Sequence, residues 1–385
     1  MQIFINAFTI FLFASIAIFS SCQKPAEQPV SASVSVAEAM SGSDTSGYAR
    51  AVQVREFRFP QDHGPHPDFK TEWWYYTGNL HDAAGRRFGF QFTIFRTALS
   101  PRVPERTSDW ASNQLYMGHF ALSDIAGGQH HAFERFSRDA RGLAGAQAEP
   151  FRVWLEDWTV EAAGGGSDLE MPRTRLHAAE DGIMLDLILR NTKPPALQGR
   201  QGLSQKGPEP GNASYYYSFT RLEAAGNLRQ GENTFEVEGL AWMDREWSTS
   251  ALGAEQVGWD WFSLQLSDNS ELMYYQLRKR DGSADRFSKG LLHHADGTAE
   301  VITREDVTLE VLDSWESPLG GRYPARWQLS LPEKHVSLEI TPLIADQELN
   351  VSVRYWEGAV DVRGNIGEKQ VDGSGYVELT GYGDE

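Results

Sequence analysis

Three carboxylates of this 385-residue chain are set between tryptophans. In "GLAWMDREWSTS", Gly239 to Ser250, the run Asp244-Arg245-Glu246 lies between Trp242 and Trp247. In "GWDWFSLQL", Asp260 lies between Trp259 and Trp261. On an alternating strand Trp242, Asp244 and Glu246 share one face. A carboxyl closed in against indole rings loses solvation, its pKa rises, and it can hold a proton at neutral pH as a general acid. The competing reading makes Arg245 the partner of a carboxylate in a structural bridge, and the residues alone leave both open. If the chain is an enzyme, its proton donor is expected among Asp244, Glu246 and Asp260. The rings themselves are candidates for a ligand wall: Trp73 and Tyr75 in "EWWYYTGNL", then Trp242, Trp247, Trp259 and Trp261, and Tyr274 in "ELMYYQLR". Aromatics on this scale (12 Trp, 13 Tyr and 20 Phe) build cores first and ligand walls second.

Other chemistries lack their residues. Asp62, His63, His66 and Asp68 in "DHGPHPDFKTEWWYYTGNL" carry metal-binding donors, but Pro65 and Pro67 hold the segment extended and spread its side chains. It reads as a rigid loop leading into a strand, and no metal or other cofactor is expected. His130-His131 and His293-His294 lie beside turn signals and are expected to be solvated. The chain has no G-x-S-x-G, no H-E-x-x-H, no phosphate loop, no dinucleotide fingerprint and no C-x-x-C. Its single cysteine, Cys22, lies near the N-terminus, which leaves no cysteine nucleophile and no intramolecular disulfide. A net charge of −18 argues against nucleic acid or an anionic membrane face as partner. Metal-free acid–base chemistry or plain binding remains.

Strands must position these residues. "FGFQFTIF" alternates Phe88, Phe90, Phe92 and Ile94 against Gly89, Gln91 and Thr93, and "LDLILR", "VTLEVL" and "VSVRY" follow the same period of two. Such alternation is that of half-buried antiparallel strands, and turn signals such as "DAAGR", "IAGGQ" and "KRDGS" separate them. The chain is long for one core. Its halves also correspond: at one constant offset Trp73 meets Trp259, Leu80 meets Leu266 and Asp82 meets Asp268. After a shorter turn Phe92 meets Tyr274 and Arg96 meets Arg278, and "SYYYSFT" at the end of one half matches "GYVELT" at the end of the other. The expected fold is all-β, with an N-terminal domain over 50–225 and a C-terminal domain over 226–385. "LQGRQGLSQKGPEPGNAS", Leu197 to Ser214, is too rich in Gly and Pro for a strand and reads as a long loop capping the first domain or crossing to the second.

The N-terminus is read apart from the fold. Residues 1–21 carry no charged side chain, and "SSCQKPAEQP" follows an apolar run. This resembles a bacterial lipoprotein signal with Phe19-Ser20-Ser21-Cys22 as its lipobox, although Phe19 stands where leucine is usual and no Lys or Arg precedes it. The resemblance implies lipidation at Cys22, with Gln23 suited to the outer membrane. The acyl chains would then anchor a periplasmic or cell-envelope protein without spanning the bilayer. Residues 22–49 form a flexible tether.

Taken in order, "FPQDHGPHPDFKTEWWYYTGNL", "SYYYSFTRL", "GLAWMDREWSTS", "GWDWFSLQL", "ELMYYQLR" and "GYVELTGY" resemble the lipocalin-like proteins grouped with AttH and carotenoid 1,2-hydratase, over about Arg55 to Gly383. The resemblance implies two tandem lipocalin-like antiparallel β-barrel domains. Proteins of this kind often carry the label of secreted hydrolases, and no nucleophile here supports it. The hydratase branch implies that an acid protonates an isoprenoid alkene, rings stabilise the cation, and water adds. It also implies a histidine where this chain has Arg245, which cannot act as an acid near neutrality, and an acid near Gln276. The expected function is binding of an apolar, isoprenoid or lipid-like ligand in the periplasm. Acid-catalysed hydration is the alternative, and an export system is a further candidate partner.

Overall fold

The computed structural model describes residues 45–382 apart from 103–107, 109, 251 and 254. Cys22, the signal segment and most of the tether lie outside the described residues. Strands dominate, and all the strand pairs are antiparallel.

The first sheet opens with β1 (Thr71–Asp82), β2 (Arg87–Ala98), β3 (Gln114–Asp124) and β4 (Gln129–Arg138). It continues with β5 (Ala144–Gln147), β6 (Arg152–Leu155), β7 (Trp158–Asp168), β8 (Met171–Glu180) and β9 (Ile183–Asn191). Two short strands, β10 (Ala196–Leu197) and β11 (Leu203–Gln205), precede the long β12 (Ala213–Gln230) and β13 (Asn233–Ser248). The second sheet begins with β14 (Gln256–Leu266), β15 (Glu271–Lys279), β16 (Lys289–His293) and β17 (Ala299–Thr303). It ends with β18 (Thr308–Glu316), β19 (Arg322–Leu331), β20 (Val336–Pro342), β21 (Glu348–Asn350), β22 (Arg354–Ile366) and β23 (Lys369–Leu379). The two sheets curl into lipocalin-like barrels, one nearly closed and the other a half-barrel.

The two barrels share one strand order. The path β4-β3-β2-β1-β13-β12-β9-β8-β7 in the first has its counterpart in β17-β16-β15-β14-β23-β22-β20-β19-β18 in the second. Trp73 and Trp259 therefore occupy corresponding strands, β1 and β14. The register agrees as well: Tyr76 faces Phe92 as Phe262 faces Tyr274, and Glu72 faces Arg96 as Gly258 faces Arg278. The half-ends pair differently from the expectation. "SYYYSFT" is on β12, which corresponds to β22, whereas "GYVELT" is on β23, which corresponds to β13. The change of sheet falls between Ser248 and Gln256, and the expected boundary at 225/226 lies inside β12. A cut there would sever β12 and part its first half from β13, separating Ser218 from Asp244 and Ala225 from Glu238.

Phe88, Phe90, Phe92 and Ile94 point into the first barrel with Trp74, Tyr76, Phe120 and Trp158. Trp327, Trp356, Phe262 and Tyr274 fill the second. The outward faces of β2, most of β1 and the second half of β13 are also largely buried, so these stretches are not the half-buried kind that alternation predicts: Gln91 and Thr93 are fully covered. The reason is that the outer wall of one barrel lies against the other. Gly89 marks the closest approach, since a Cβ there would stand 2.6 Å from Cβ of Ala359. Glu271 clamps the same junction, accepting from Lys193 at 2.8 Å and from Arg221 at 2.5 Å.

The histidines are less exposed than the turns beside them suggest. His293 is buried, bonded to Thr220 Oγ1 at 2.9 Å, and burial holds its pKa down at about 4. His130 bonds Ser123 at 2.9 Å. The proline-stiffened segment before β1 is a plug: His63 bonds the Tyr217 hydroxyl at 2.7 Å, and His66 stacks on Trp247 with ring centroids 3.7 Å apart.

Candidate functional site

Alternation decides which side chains meet. Along β13, Trp242, Asp244 and Glu246 point out of the first barrel towards the second, while Arg245 and Trp247 point in. Arg245 lies over Trp74, its guanidinium 4.0 Å from the ring centroid, and with Arg96 it encloses the buried carboxylate of Glu72. Those two guanidiniums outweigh the burial of Glu72 and hold its pKa far below the usual carboxylate range. The arginine therefore makes a structural bridge, but with an acid on β1 and away from Asp244. On β14 the same rule turns Trp259 and Trp261 outwards and Asp260 away from them. Asp260 accepts from Arg278 at 2.9 Å and from the Tyr382 hydroxyl at 3.0 Å, outside the cavity.

Between the barrels lies a cavity of about 840 Å³, counting its open mouth. Its aromatic wall includes Trp73, Tyr75, Phe95, Tyr216, Trp259 and Trp261, and its floor carries four carboxyls: Asp244, Glu246, Glu357 and Glu378. Lys206 is the only basic side chain among its lining residues. Of the seven rings expected as ligand wall, Trp73, Tyr75, Trp259 and Trp261 line the cavity. Trp242 sits behind it and donates to Asp244 Oδ1 at 2.7 Å. Trp247 and Tyr274 lie inside the barrels, because their positions along the strands are of the opposite parity.

Asp244 is closely held. Besides Trp242, its carboxyl accepts from Tyr216 Oη at 2.5 Å and from Ser218 Oγ at 2.5 Å. Burial pushes its pKa up, these three donors pull it down, nearby Glu246 adds to the rise, and the result is about 7. Glu246 pairs with Lys206 Nζ at 2.8 Å. Burial would discharge that ammonium, but Glu246 and its acidic neighbours outweigh it and hold the pKa of Lys206 up. The segment Leu197 to Ser214 supplies this lysine. Rather than staying a plain loop, it pairs β10 and β11 with β12 and then reaches over to the second barrel, where Ser204 bonds the Tyr275 hydroxyl at 2.9 Å.

Two further acids were not singled out from the sequence. Glu357 and Glu378 are register partners on β22 and β23. Burial raises Glu378 to about 8 against a hydrogen bond from Trp259 Nε1 at 3.0 Å, and the charges of Asp244 and Glu246 raise it further. Glu357 is pushed well above the ordinary carboxyl range by burial and then by Glu378, while the Tyr75 hydroxyl donates to it. The duplication contains the signal that finds Glu378. Asp244 faces Tyr75 across β13 and β1, and Glu378 faces Trp261 across β23 and β14, so the two acids hold equivalent places in the two repeats. Gln276, where an acid was expected, is only half-buried and faces Asp260 across β14 and β15.

The family model for AttH-like proteins matches residues 50–382. The chain belongs to the AttH-like family. A candidate AttH of known structure from Nitrosomonas europaea is 37% identical to this AttH-like chain, with 87% of this chain and 99% of that one covered and a TM-score of 0.76. Kievitone hydratase from Nectria haematococca shares the fold at 14% identity, with 87% and 96% covered and a TM-score of 0.64. No curated protein matches the AttH-like chain.

Proposed function

We propose that this AttH-like protein is an acid–base catalyst that adds water across a carbon–carbon double bond of an apolar, isoprenoid-like molecule held between its barrels. One observation carries the reading: the equivalent acids Asp244 and Glu378 face a single aromatic cavity, and burial raises both above the ordinary carboxyl range. Their hydrogen bonds divide the roles: three donors satisfy an ionised Asp244, the base, whereas Glu378 accepts from Trp259 and is the acid. Glu378, protonated near neutrality, gives its proton to one alkene carbon. The positive charge that appears on the other carbon lies among the faces of Tyr75, Trp259 and Trp261, which stabilise a cation. Water oxygen bonds that carbon and its released proton passes to Asp244, whose ionised form is already satisfied by Tyr216, Ser218 and Trp242. The product is a tertiary alcohol, and no redox partner is needed. Arg245 plays no part, since it faces the other way, and of the acids expected as donor only Asp244 and Glu246 are in the cavity. Kinship of fold with a kievitone hydratase is in keeping with water addition.

The test is incubation with an acyclic carotenoid in ¹⁸O water, followed by mass spectrometry of the product. The rate should be bell-shaped in pH, rising as Asp244 ionises and falling as Glu378 ionises, with both limbs above the ordinary carboxyl range. Asp244→Asn and Glu378→Gln should each cost about 10²–10⁴ in rate. Ligand retained with no ¹⁸O uptake, or both variants matching an active wild type, would leave a binding protein for apolar ligands.

The same proposal places the protein in the periplasm or cell envelope, anchored through Cys22. The lone cysteine after an apolar run and before a polar tether supports this placement.

A further inference from the structure

A line of polar side chains runs from the surface to the cavity and crosses between the barrels. Glu134, on β4, is at the solvent end: its carboxylate accepts from Ser352 Oγ at 2.6 Å, and Ser352 is exposed. His119, on β3 and fully buried, has Nε2 at 3.1 Å from Glu134 Oε1 and Nδ1 at 2.8 Å from the Tyr355 hydroxyl. Tyr355 and Glu357 are two residues apart on β22 and share a face, and the Tyr355 hydroxyl lies against the Glu357 carboxyl. Glu357 Oε1 accepts from Tyr75. Glu357 in turn faces Glu378 across β22 and β23. Two buried barrels could pack through apolar rings alone. A histidine, a tyrosine and two acids in line at the junction cost desolvation that simple packing does not require.

We propose that Glu134, His119 and Tyr355 form a proton relay that reloads the buried Glu357–Glu378 pair from solvent. The donor roles fit a single direction. With Glu134 ionised, Nε2 of a neutral His119 must carry the ring proton, so Nδ1 accepts from Tyr355 and the tyrosine oxygen is free to accept from Glu357. In the outward passage Glu357 gives its proton to the Tyr355 oxygen, and Tyr355 gives its own to Nδ1. His119 then gives its Nε2 proton to Glu134, which releases it to water. One proton has moved from Glu357 to solvent, and His119 is left in its other tautomer. The reverse passage starts from that other tautomer and delivers a proton inwards to an ionised Glu357; before a second inward passage the ring must turn over, so that its proton again lies on the tyrosine side. The reloading role rests on the proposed hydration, which takes a proton from Glu378 and leaves one on Asp244 in each turnover. Asp244 and Glu357 both line the cavity, and the relay gives the Glu357–Glu378 pair a route to solvent that does not run through the space a ligand fills.

Infrared spectroscopy tests the relay without any substrate. A protonated Glu357 gives a carboxyl C=O band, identified by its loss in Glu357→Gln, whose side chain is close in shape to a protonated glutamate. After transfer to D₂O that band shifts at the rate at which the proton exchanges with solvent. Tyr355→Phe keeps the ring and removes only the hydroxyl, and His119→Gln keeps a hydrogen-bonding group but cannot pass a proton. Each should slow the exchange roughly a hundredfold, and Glu134→Gln, at the outer end, should slow it as well. Exchange at the wild-type rate in Tyr355→Phe and His119→Gln overturns the relay, as does the absence of any band that Glu357→Gln removes. Because the readout involves no turnover, a failed relay leaves the hydration reading standing, and failed hydration leaves the relay measurable.

Discussion

Replacing Asp244 with asparagine should make the protein more tolerant of alkali, and the size of the effect follows from the site. In the unfolded chain this carboxyl loses its proton near 3.8, and in the folded protein it keeps it to about 7. A folded pKa above the unfolded one means that the native state binds the proton more tightly. The resulting stability is fully present below pH 3.8 and is lost as pH rises through 7. At about 1.36 kcal/mol for each tenfold in proton affinity, the whole window is worth about 4 kcal/mol. Between about pH 5 and about pH 8, wild type should lose roughly 2–3 kcal/mol of stability through this one group, and Asp244→Asn should lose none of it. The amide has its own cost. Its oxygen can still accept from Ser218 and Trp242, but Tyr216 must give up its acceptor, a loss of about 1 kcal/mol that does not vary with pH. The decisive quantity is therefore the slope of the difference between variant and wild type, measured by urea unfolding at the two pH values. A constant difference would show that Asp244 is ionised throughout, and the assignment of its environment would fail along with its role as base.

Glu72→Gln should cost about 3–5 kcal/mol in urea unfolding, because Arg245 and Arg96 are left buried without their shared carboxylate; an unchanged midpoint would mean that the arginines find other acceptors. Tyr274→Phe should raise stability by up to about 1 kcal/mol, since the Tyr274 hydroxyl is buried with no hydrogen-bond partner among the described residues, and it should leave retention of an apolar fluorescent probe unchanged. Weaker retention would return Tyr274 to the ligand wall. Cys22→Ser should move the protein from the membrane fraction to the soluble one; a variant that stays as firmly in the membrane as wild type refutes lipid anchoring.

The period-two pattern of "FGFQFTIF" was enough to specify strands, because a pleated chain turns alternate residues to opposite faces whatever surrounds it. The duplication was equally legible: Trp73 with Trp259 and Phe92 with Tyr274 fall on corresponding strands at matching register, since both halves solve the same packing problem with the same spacing. Alternation also grouped Trp242, Asp244 and Glu246 correctly on one face of β13. Which face looks into a barrel and which into the cavity was beyond the sequence. Asp260 and Trp261 are neighbours along the chain, yet the parity that brings Trp261 to the cavity takes Asp260 to Arg278 and Tyr382. Trp247 and Tyr274, as aromatic as the residues around them, went to the cores by the same rule. The cavity is made only when the two barrels meet, by side chains far apart in sequence: Tyr75 donates to Glu357, and Trp261 donates to the Tyr216 hydroxyl. Proton affinity likewise depends on burial, which a carboxyl acquires from the far barrel and not from its neighbours in the chain. The sequence by itself determined the strands, the repeat and the alternation of faces, all of which depend on local geometry; the tertiary structure alone decided which acids are enclosed, which rings surround them and which arginine stays away.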